Sequence, residues 1–187
     1  MTGTGRDVEE AAIEFRPLGR SDFQLIGQWL SAPHVELWWR QAYDPASIEA
    51  AYGPAVDGED PTELFVVLRG GHPVGLVQRY LIDDNPDWKQ SREPIALPEP
   101  AVGIDYLIGT AGLIGRGLGS VIIDRFVDDA WGRHPGVVAA VANVQQANRR
   151  SWRALEKSGF RRAWAGVLVS NDPSDDGPAY VYVRMRG

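Results

Sequence analysis

The chain has 187 residues, no cysteine and a formal net charge of −6, from 19 basic and 25 acidic side chains. Its length suits one domain with a sizeable core, and the absence of cysteine excludes a disulfide framework, a thiolate zinc site and a cysteine nucleophile. The negative charge argues against a nucleic-acid partner and mildly favours a cationic one. No apolar run resembles a signal peptide or reaches membrane-spanning length, which predicts a cytoplasmic protein without a membrane partner.

The first half of the chain predicts one strand, two helices and a β-hairpin. Ser21 or Asp22 can cap the first helix, and Asp44 followed by Pro45 is typical of the start of the second. Two β-prone runs separated by a glycine turn predict the hairpin. The predicted elements are a flexible polar tail (1–12), a strand (14–18), a helix whose core-facing positions are Phe23, Ile26 and Leu30, a loop or short helix (34–39), a helix ending near Val56, and two hairpin strands (64–68 and 74–81).

Two pairs of residues in this half are candidates for binding a substrate. Trp38 and Trp39 are adjacent and cannot share one helical face, so one of them is predicted to line or cover a cavity, or else to shield the core as a rim residue. Asp87 and Trp88 fall in a long irregular segment, 83–100, that is rich in proline and charge. Such loops inside compact domains are uncommon and often functional, and we interpret this one as a flap that faces the substrate.

Residues 103–120 predict a strand, a glycine loop and a helix. A β-prone run over 104–108 is followed by Gly115, Gly117 and Gly119, and then by apolar residues at helical spacing. Glycines let the main chain approach a ligand closely, and the first turn of a helix offers unpaired NH groups at the positive end of its dipole. This combination favours a phosphate site, although a glycine-rich turn that only connects two elements is the alternative. A P-loop is disfavoured because no lysine follows the glycines, and a Rossmann fingerprint because the spacing is Gly-x-Gly-x-Gly without a βαβ repeat.

The last third of the chain predicts an interior strand, a helix and a second hairpin. Residues 137–144 are apolar on both faces, as expected of a strand covered on both sides. Residues 145–158 predict a helix closed by Gly159, with Phe160 packing back. Strands over 162–170 and 179–185 flank a loop, 171–178, that contains three acidic residues, Asp172, Asp175 and Asp176.

The glycine loop resembles the acyl-CoA pyrophosphate loop of the GNAT superfamily of N-acyltransferases. The match is the segment from Ile114 to Gly119, although its first residue is Ile114 where the family pattern has Gln or Arg. The element order also resembles that α/β fold, which implies one domain over 13–187 with a mixed, mostly antiparallel twisted sheet of about seven strands, helices on both faces and a splay between strands 4 and 5. The resemblance implies acetyl-CoA as co-substrate, without a metal, held by Tyr106, Leu107, Ile108, Ile114, Gly115, Arg116, Gly117, Leu118, Gly119, Ser120, Asn148 and Ser151.

Within that superfamily the chain is most similar to bacterial aminoglycoside 6'-N-acetyltransferases. The similarity is carried by 103–105, by 148–160 and by 176–179, and more loosely by the two tryptophan-containing pairs. It implies a cationic amine acceptor bound by Trp38, Trp39, Asp87, Trp88, Asp105, Asn143 and Asp176. Two positions depart from that group: Leu155 replaces a tyrosine that protonates the departing thiolate, and Asn143 replaces a second aspartate.

The chemistry of acyl transfer suggests roles for two residues. Transfer from a thioester to an amine needs a neutral nucleophile, donors for the developing oxyanion and a proton for the thiolate. In a GNAT-like site, NH groups near Tyr106 and Leu107 hold the pantetheine and the thioester oxygen. Asp105 holds the incoming ammonium and receives its proton directly or through water, unless it is a structural carboxylate paired with an arginine. Because Leu155 carries no proton, we expect solvent or Tyr106 to protonate the thiolate.

Two alternative functions remain open at the level of sequence. The acceptor could be a siderophore precursor or another metabolite amine, although relatives of the siderophore type are expected to carry His where this chain has Asp105. The chain could instead be a non-catalytic acyl-CoA sensor, which Leu155 supports. His34, His72 and His134 lack metal-ligand spacing, so no metal site is predicted. The expected state is a monomer or a homodimer.

Overall fold

The computed structural model describes residues 12–86, 89, 95–170 and 172–187. Asp87, Trp88 and all of the predicted tail except Ala12 lie outside the described residues. These residues include seven strands: β1 (Ile13–Pro17), β2 (Glu63–Arg69), β3 (His72–Leu81), β4 (Ala101–Ile108), β5 (Ala139–Gln145), β6 (Arg161–Val167) and β7 (Pro178–Met185). The α-helices within the described ranges are α1 (Phe23–Leu30), α2 (Pro33–Trp39), α3 (Pro45–Asp57), α4 (Leu118–Arg133) and α5 (Arg149–Lys157).

All seven strands form one sheet in the order β1-β2-β3-β4-β5-β7-β6. Neighbouring strands are antiparallel except for β4 and β5, which run parallel. Helices α4 and α5 pack on one face of the sheet, around Ile122, Phe126 and Leu155. Helices α1, α2 and α3 pack on the other face, around Ile26, Val35 and Ile48. The mixed sheet with helices on both faces confirms the predicted fold class.

Several predicted boundaries change because side chains make contacts that the sequence pattern does not show. Three helices, rather than two, separate β1 from β2, because Pro33 starts α2 and the left-handed Arg40 (φ 50°) ends it. Asp22 occupies the N-cap position of α1, but its side chain does not bond to the helix; its carboxylate accepts from the amide of Gly19 at 3.0 Å and pairs with Arg16 at 2.8 Å. Helix α5 begins at Arg149 because the side chain of Asn148 caps it by accepting from the amide of Ser151. No helix among the described residues is long and apolar enough to span a membrane.

A buried arginine joins the hairpin of β2 and β3 to helix α4. The side chain of Arg79 is fully buried, and its guanidinium makes two hydrogen bonds to Glu63, at 2.8 and 3.1 Å, and a third to Asp129. It also lies over the rings of Phe65 and Phe126, at 5.0 and 5.4 Å. Hydrogen bonding from Arg79 lowers the pKa of Glu63 to about 2. His134, which the sequence suggested to be isolated, reaches Glu63 at 2.9 Å.

We predict that Glu63→Gln destabilises the protein and weakens its sensitivity to acid. The depressed pKa of Glu63 contributes stability that is present above pH 4.5 and is lost as the pH falls towards 2. Glutamine leaves part of the buried guanidinium unpaired, which costs about 2 kcal/mol at pH 7. Thermal melts across this pH range measure both effects. Glu49→Gln, at an exposed ion pair with Arg20, is the control that we expect to melt close to the wild type.

Candidate active site

Strands β4 and β5 separate halfway along their length. Their parallel pairing covers only three positions, from Ala101 opposite Ala139 to Gly103 opposite Val141. Beyond this point, β4 stays paired with β3 up to Ile108, and β5 stays paired with β7 up to Gln145. The backbone groups that face the gap therefore have no strand partner there and are available for a ligand. This gap is the splay predicted between strands 4 and 5.

A cavity of about 740 Å³ opens at the splay. Because side chains alternate along a strand, neighbouring residues of β4 face opposite sides of the sheet. Tyr106 packs with the core under α4 and α5, whereas Leu107 packs with α1 and α3, so Asp105 faces the same side as Leu107. The described residues that line the cavity are Trp38, Trp39, Gln41, Thr62, Gln78, Tyr80, Asn85, Ile104, Asp105, Tyr106, Ala142, Asn143, Val144, Gln145, Asn148, Ser151, Val169, Ser170, Asp172, Ser174, Asp175 and Ala179.

The side of the cavity that faces α2, the acceptor side, is acidic and aromatic. Asp105 lies on it, and its carboxylate accepts a hydrogen bond from the amide of Gln78, at 2.9 Å. Gln78 is directly opposite Asp105 in the antiparallel ladder, so the register of β3 and β4 sets this contact. Asp172 and Asp175 line the cavity together with Trp38 and Trp39. Carboxylates and aromatic faces together suit a ligand with several positive charges.

The loop that carries two of these carboxylates is fixed by three polar contacts. The carboxylate of Asp172 accepts from the amide of Ser174 at 2.8 Å, and the side chain of Gln145 donates to the carbonyl of Ser174 at 2.7 Å. Arg40, at the end of α2, lies 3.5 Å from the carbonyl of Asp176. The acidic loop is therefore held against both β5 and the helix that bears the two tryptophans.

The opposite side of the cavity, the donor side, carries hydroxyl groups. The hydroxyl of Tyr106 lies 2.8 Å from Oγ of Ser151 and 3.3 Å from its carbonyl oxygen. Burial raises the pKa of Tyr106 to about 12, so the phenol keeps its proton at neutral pH. Asn148, which caps α5, and Ser151, in its first turn, also line the cavity.

The glycine loop beside the donor side has the geometry of an anion site. Gly115 (φ 77°) and Gly117 (φ 84°) are left-handed, and a Cβ at either position would meet no heavy atom within 4 Å. The space beside the loop is therefore open, and the first amides of α4 face it without intrahelical acceptors. Gly119 plays another part: its Cα lies so close to α5 that a Cβ would be 3.4 Å from Cβ of Ala154 and 3.8 Å from the ring of Tyr106.

The structure brings seven of the residues predicted to bind acetyl-CoA or the acceptor into one cavity. Trp38, Trp39, Asp105, Tyr106, Asn143, Asn148 and Ser151 all line the cavity. Both tryptophans do so, rather than only one, since α2 ends at Trp39 on the cavity rim. Ile114, Gly115, Arg116, Gly117, Leu118, Gly119 and Ser120 form the adjoining loop and first turn of α4 and do not line the cavity itself. Leu107 is buried in the core, and the carbonyl of Ile108 contacts His34 at 3.0 Å, so both can serve a ligand only through their remaining backbone groups.

Other residues that line the cavity are not predicted from the sequence. Asp176 is not among the lining residues; Asp172 and Asp175, on the same loop, take its place. Gln78, Tyr80 and Gln145 also line the cavity, but nothing in their local sequence distinguishes them from ordinary strand residues. The cluster of three aspartates was a usable signal for the loop, although it did not identify which of them face inward. Leu155, a residue of α5, is fully buried against the sheet side of that helix and its side chain provides no polar group to the site.

The sheet is opened between two parallel strands, with a glycine loop beside one side of the opening and acidic and aromatic side chains on the other. Residues 19–166 match the acetyltransferase (GNAT) domain family, and the chain belongs to this family. Family membership identifies it as an N-acetyltransferase.

Known relatives share most of the chain. Over 180 residues it is 26% identical to aminoglycoside N(6')-acetyltransferase type 1 from Klebsiella pneumoniae and to that from Serratia marcescens, covering 94% of this chain and 84% of each relative. The structure is similar to AAC(6')-Ib in complex with paromomycin and acetyl-CoA, with a TM-score of 0.77 and 25% identity over 94% of both chains. It is equally similar, with a TM-score of 0.77 and 26% identity, to AAC(6')-Ib in complex with coenzyme A and kanamycin, covering 94% of this chain and 95% of that one.

Proposed function

We propose that this chain transfers the acetyl group of acetyl-CoA to a primary amine of a cationic small molecule, namely the 6'-amino group of an aminoglycoside. The observation that carries the proposal is the pocket on the acceptor side, where Asp105, Asp172 and Asp175 share a cavity with two tryptophans. Three carboxylates attract each positive charge of an aminoglycoside, whereas they would not attract a neutral acceptor and would repel an anionic one. The relatives' known ligands support the same assignment.

Acetyl-CoA would bind on the donor side. Its pyrophosphate fits the open space beside Gly115 and Gly117, where the amides at the start of α4 can hold it. The rest of the carrier would extend from there past the ring of Tyr106, which packs beside Gly119, to the splay, where the strand backbone has no strand partner. The bound thioester supplies the acetyl group and a thiolate leaving group. In a cell this co-substrate is met in the cytoplasm, which is where we place the protein.

Asp105 would hold the reacting amine at the splay. The amide of Gln78 fixes one carboxylate oxygen at 2.9 Å and keeps the group oriented in the cavity. The carboxylate attracts the ammonium form of the acceptor and then receives its proton, directly or through water, which leaves a neutral nucleophile. The amine attacks across the gap in the sheet while both substrates are bound, so no acyl-enzyme is required.

Asn143 is the feature that favours a second acceptor class. It lines the same cavity as Asp105, Asp172 and Asp175 but carries a neutral amide. A site with fewer charges than its relatives suits a smaller cationic metabolite amine, such as a siderophore precursor, as well as an aminoglycoside. Steady-state kinetics with aminoglycosides, polyamines and simple monoamines distinguishes these acceptors. Acetyl-CoA binding without acetylation of any of them would instead indicate a non-catalytic sensor.

We predict that Gly117→Ala lowers the affinity for acetyl-CoA about tenfold. A left-handed alanine costs about 1 kcal/mol and moves the amides that form the anion site. Gly58→Ala is the matched control, because Gly58 (φ 78°) ends α3 in the same conformation and also has no atom within 4 Å of a Cβ. Calorimetric titration measures binding, and thermal melts measure the shared strain. Equal dissociation constants in the two variants would contradict the assignment of the loop.

We predict that Asp105→Asn retains acetyl-CoA binding but loses most turnover, about 100-fold or more in kcat. Asparagine keeps the volume and the contact with Gln78 but cannot accept a proton. Coupled detection of the released thiol measures the rate. Asp128→Asn, on the exposed side of α4, controls for the change in net charge, and unchanged turnover in Asp105→Asn would remove this residue from the mechanism.

We predict that the double variant Asp172→Asn/Asp175→Asn raises KM for an aminoglycoside without a comparable fall in kcat. Each carboxylate contributes about 1 kcal/mol to a nearby positive charge, or roughly fivefold in KM. Asparagine preserves the turn that Asp172 caps, so the loop should keep its shape. KM for a monoamine should change little. Asp124→Asn/Asp128→Asn carries the same charge change on α4, and an equal rise in KM there would indicate a general field effect instead of a local contact.

A further inference from the structure

The departing thiolate needs a hydrogen-bond donor. Leu155, which stands where the resembled family has an acidic tyrosine, is apolar and fully buried and cannot provide one. Any substitute must carry a donor, must line the cavity and must lie on the donor side of the sheet. Tyr80 does not qualify, because it pairs with Gly103 and therefore shares the face of Asp105. Among the cavity residues that the structure describes next to α4 and α5, the hydroxyl groups belong to Tyr106 and Ser151.

We propose that Tyr106, aligned by Ser151, stabilises the departing thiolate of coenzyme A by donating a hydrogen bond to its sulfur. This inference rests on the acetyl transfer proposed above. The ring of Tyr106 lies beside Gly119, in the first turn of the helix whose amides form the anion site. Its hydroxyl reaches the first turn of α5 at the cavity wall. A carrier held by the loop and extended towards the splay therefore passes this hydroxyl.

The contact between Tyr106 and Ser151 can reverse its direction. Without a ligand, the phenol can donate to the carbonyl oxygen of Ser151, 3.3 Å away, and it shares a hydrogen bond of 2.8 Å with Oγ of Ser151 in which either oxygen can be the donor. When an acceptor sits in the cavity, the Ser151 hydroxyl can donate to the phenol oxygen, and the phenol proton then points at the ligand. A chain of two hydroxyl groups polarises its last donor, so the bond to sulfur is stronger than that of a lone phenol.

The proton stays on Tyr106 throughout. The amine nitrogen bonds to the acetyl carbon, the carbon–sulfur bond breaks, and its electron pair remains on sulfur. The proton that the amine loses goes to Asp105 or to water on the acceptor side. With a pKa raised to about 12, the phenol is a far weaker acid than a thiol, at about 8.5, so it shares its proton with the thiolate without transferring it.

The affinity for the product coenzyme A reports the contact between the Tyr106 hydroxyl and the thiolate sulfur without any turnover. Calorimetry would compare coenzyme A with desulfo-coenzyme A between about pH 6 and pH 9.5, which spans an ordinary thiol pKa. The affinity ratio is the association constant of coenzyme A divided by that of desulfo-coenzyme A. For the wild type, we expect this ratio to rise about tenfold as the thiol ionises. For Tyr106→Phe we expect a flat ratio, and for Ser151→Ala an intermediate one, since the phenol remains but loses its alignment.

Turnover provides the second measurement. We expect Tyr106→Phe to lower kcat about 10- to 100-fold with little change in the dissociation constant of acetyl-CoA, whose sulfur carries no charge. Tyr182→Phe is the matched control, because Tyr182 is a buried tyrosine under α5 whose hydroxyl donates to Glu156 at 2.9 Å. It should retain both kcat and the pH-dependent affinity ratio.

The outcomes separate this inference from the proposed function. A Tyr106→Phe variant whose affinity ratio still rises with pH overturns the role of Tyr106, whether or not kcat falls, because a packing defect alone would lower kcat. If Tyr106→Phe does not fold, the ratio in Ser151→Ala decides, and a wild-type ratio there overturns the proposal. Wild-type protein that binds coenzyme A with the expected ratio but acetylates no amine contradicts the proposed function and leaves the thiolate contact supported. A wild-type ratio that stays flat overturns the contact.

Discussion

The parting of β4 from β5 is the constraint on which the remaining structure depends. Each strand keeps a long antiparallel ladder on its outer side, with seven paired positions from Val102 to Ile108 for β4 and seven from Ala139 to Gln145 for β5. The two strands share only three positions with each other. The sheet can open because neither strand becomes an isolated edge. The backbone groups that lose their strand partners lie in the interior; the carbonyl of Ile108 contacts His34, and others can bind water or a ligand.

The opening brings residues from both faces of a single strand, β4, to one cavity. Alternation along β4 places Asp105 on the acceptor side and Tyr106 on the donor side, although the two residues are adjacent in sequence. In a closed sheet they would be separated by the backbone and by a neighbouring strand. At the splay both reach one cavity, so the carboxylate proposed to hold the amine and the phenol proposed to contact the leaving group lie on opposite sides of the same reacting bond.

Local signals in the sequence were sufficient for the fold and for part of the site. The glycine loop, the capped start of α3 and the apolar run of β5 depend on residues close together in the chain, and each appears in the structure near its predicted place.

Arg79 gave no such signal, because its partners Glu63 and Asp129 come from β2 and α4. The contact of Gln78 with Asp105 depends on strand register, which the hairpin turn alone does not fix at that distance. Which aspartates of the acidic loop face inward depends on Gln145 and Arg40, far away in sequence. Tertiary contacts, rather than local preference, decide these details.

Charge is distributed so that the two sides of the sheet suit ligands of opposite sign. The chain as a whole carries a net charge of −6, which would repel a polyanionic carrier if the charges were spread evenly. Three carboxylates lie together on the acceptor side, while α5, on the donor side, contains four basic residues and one acidic residue in nine. The positive end of α4 adds to this local excess. The same sheet therefore separates two electrostatic environments, and the opening between β4 and β5 is where a cationic amine and an anionic acyl carrier can approach within bonding distance without either ligand leaving the environment that favours it.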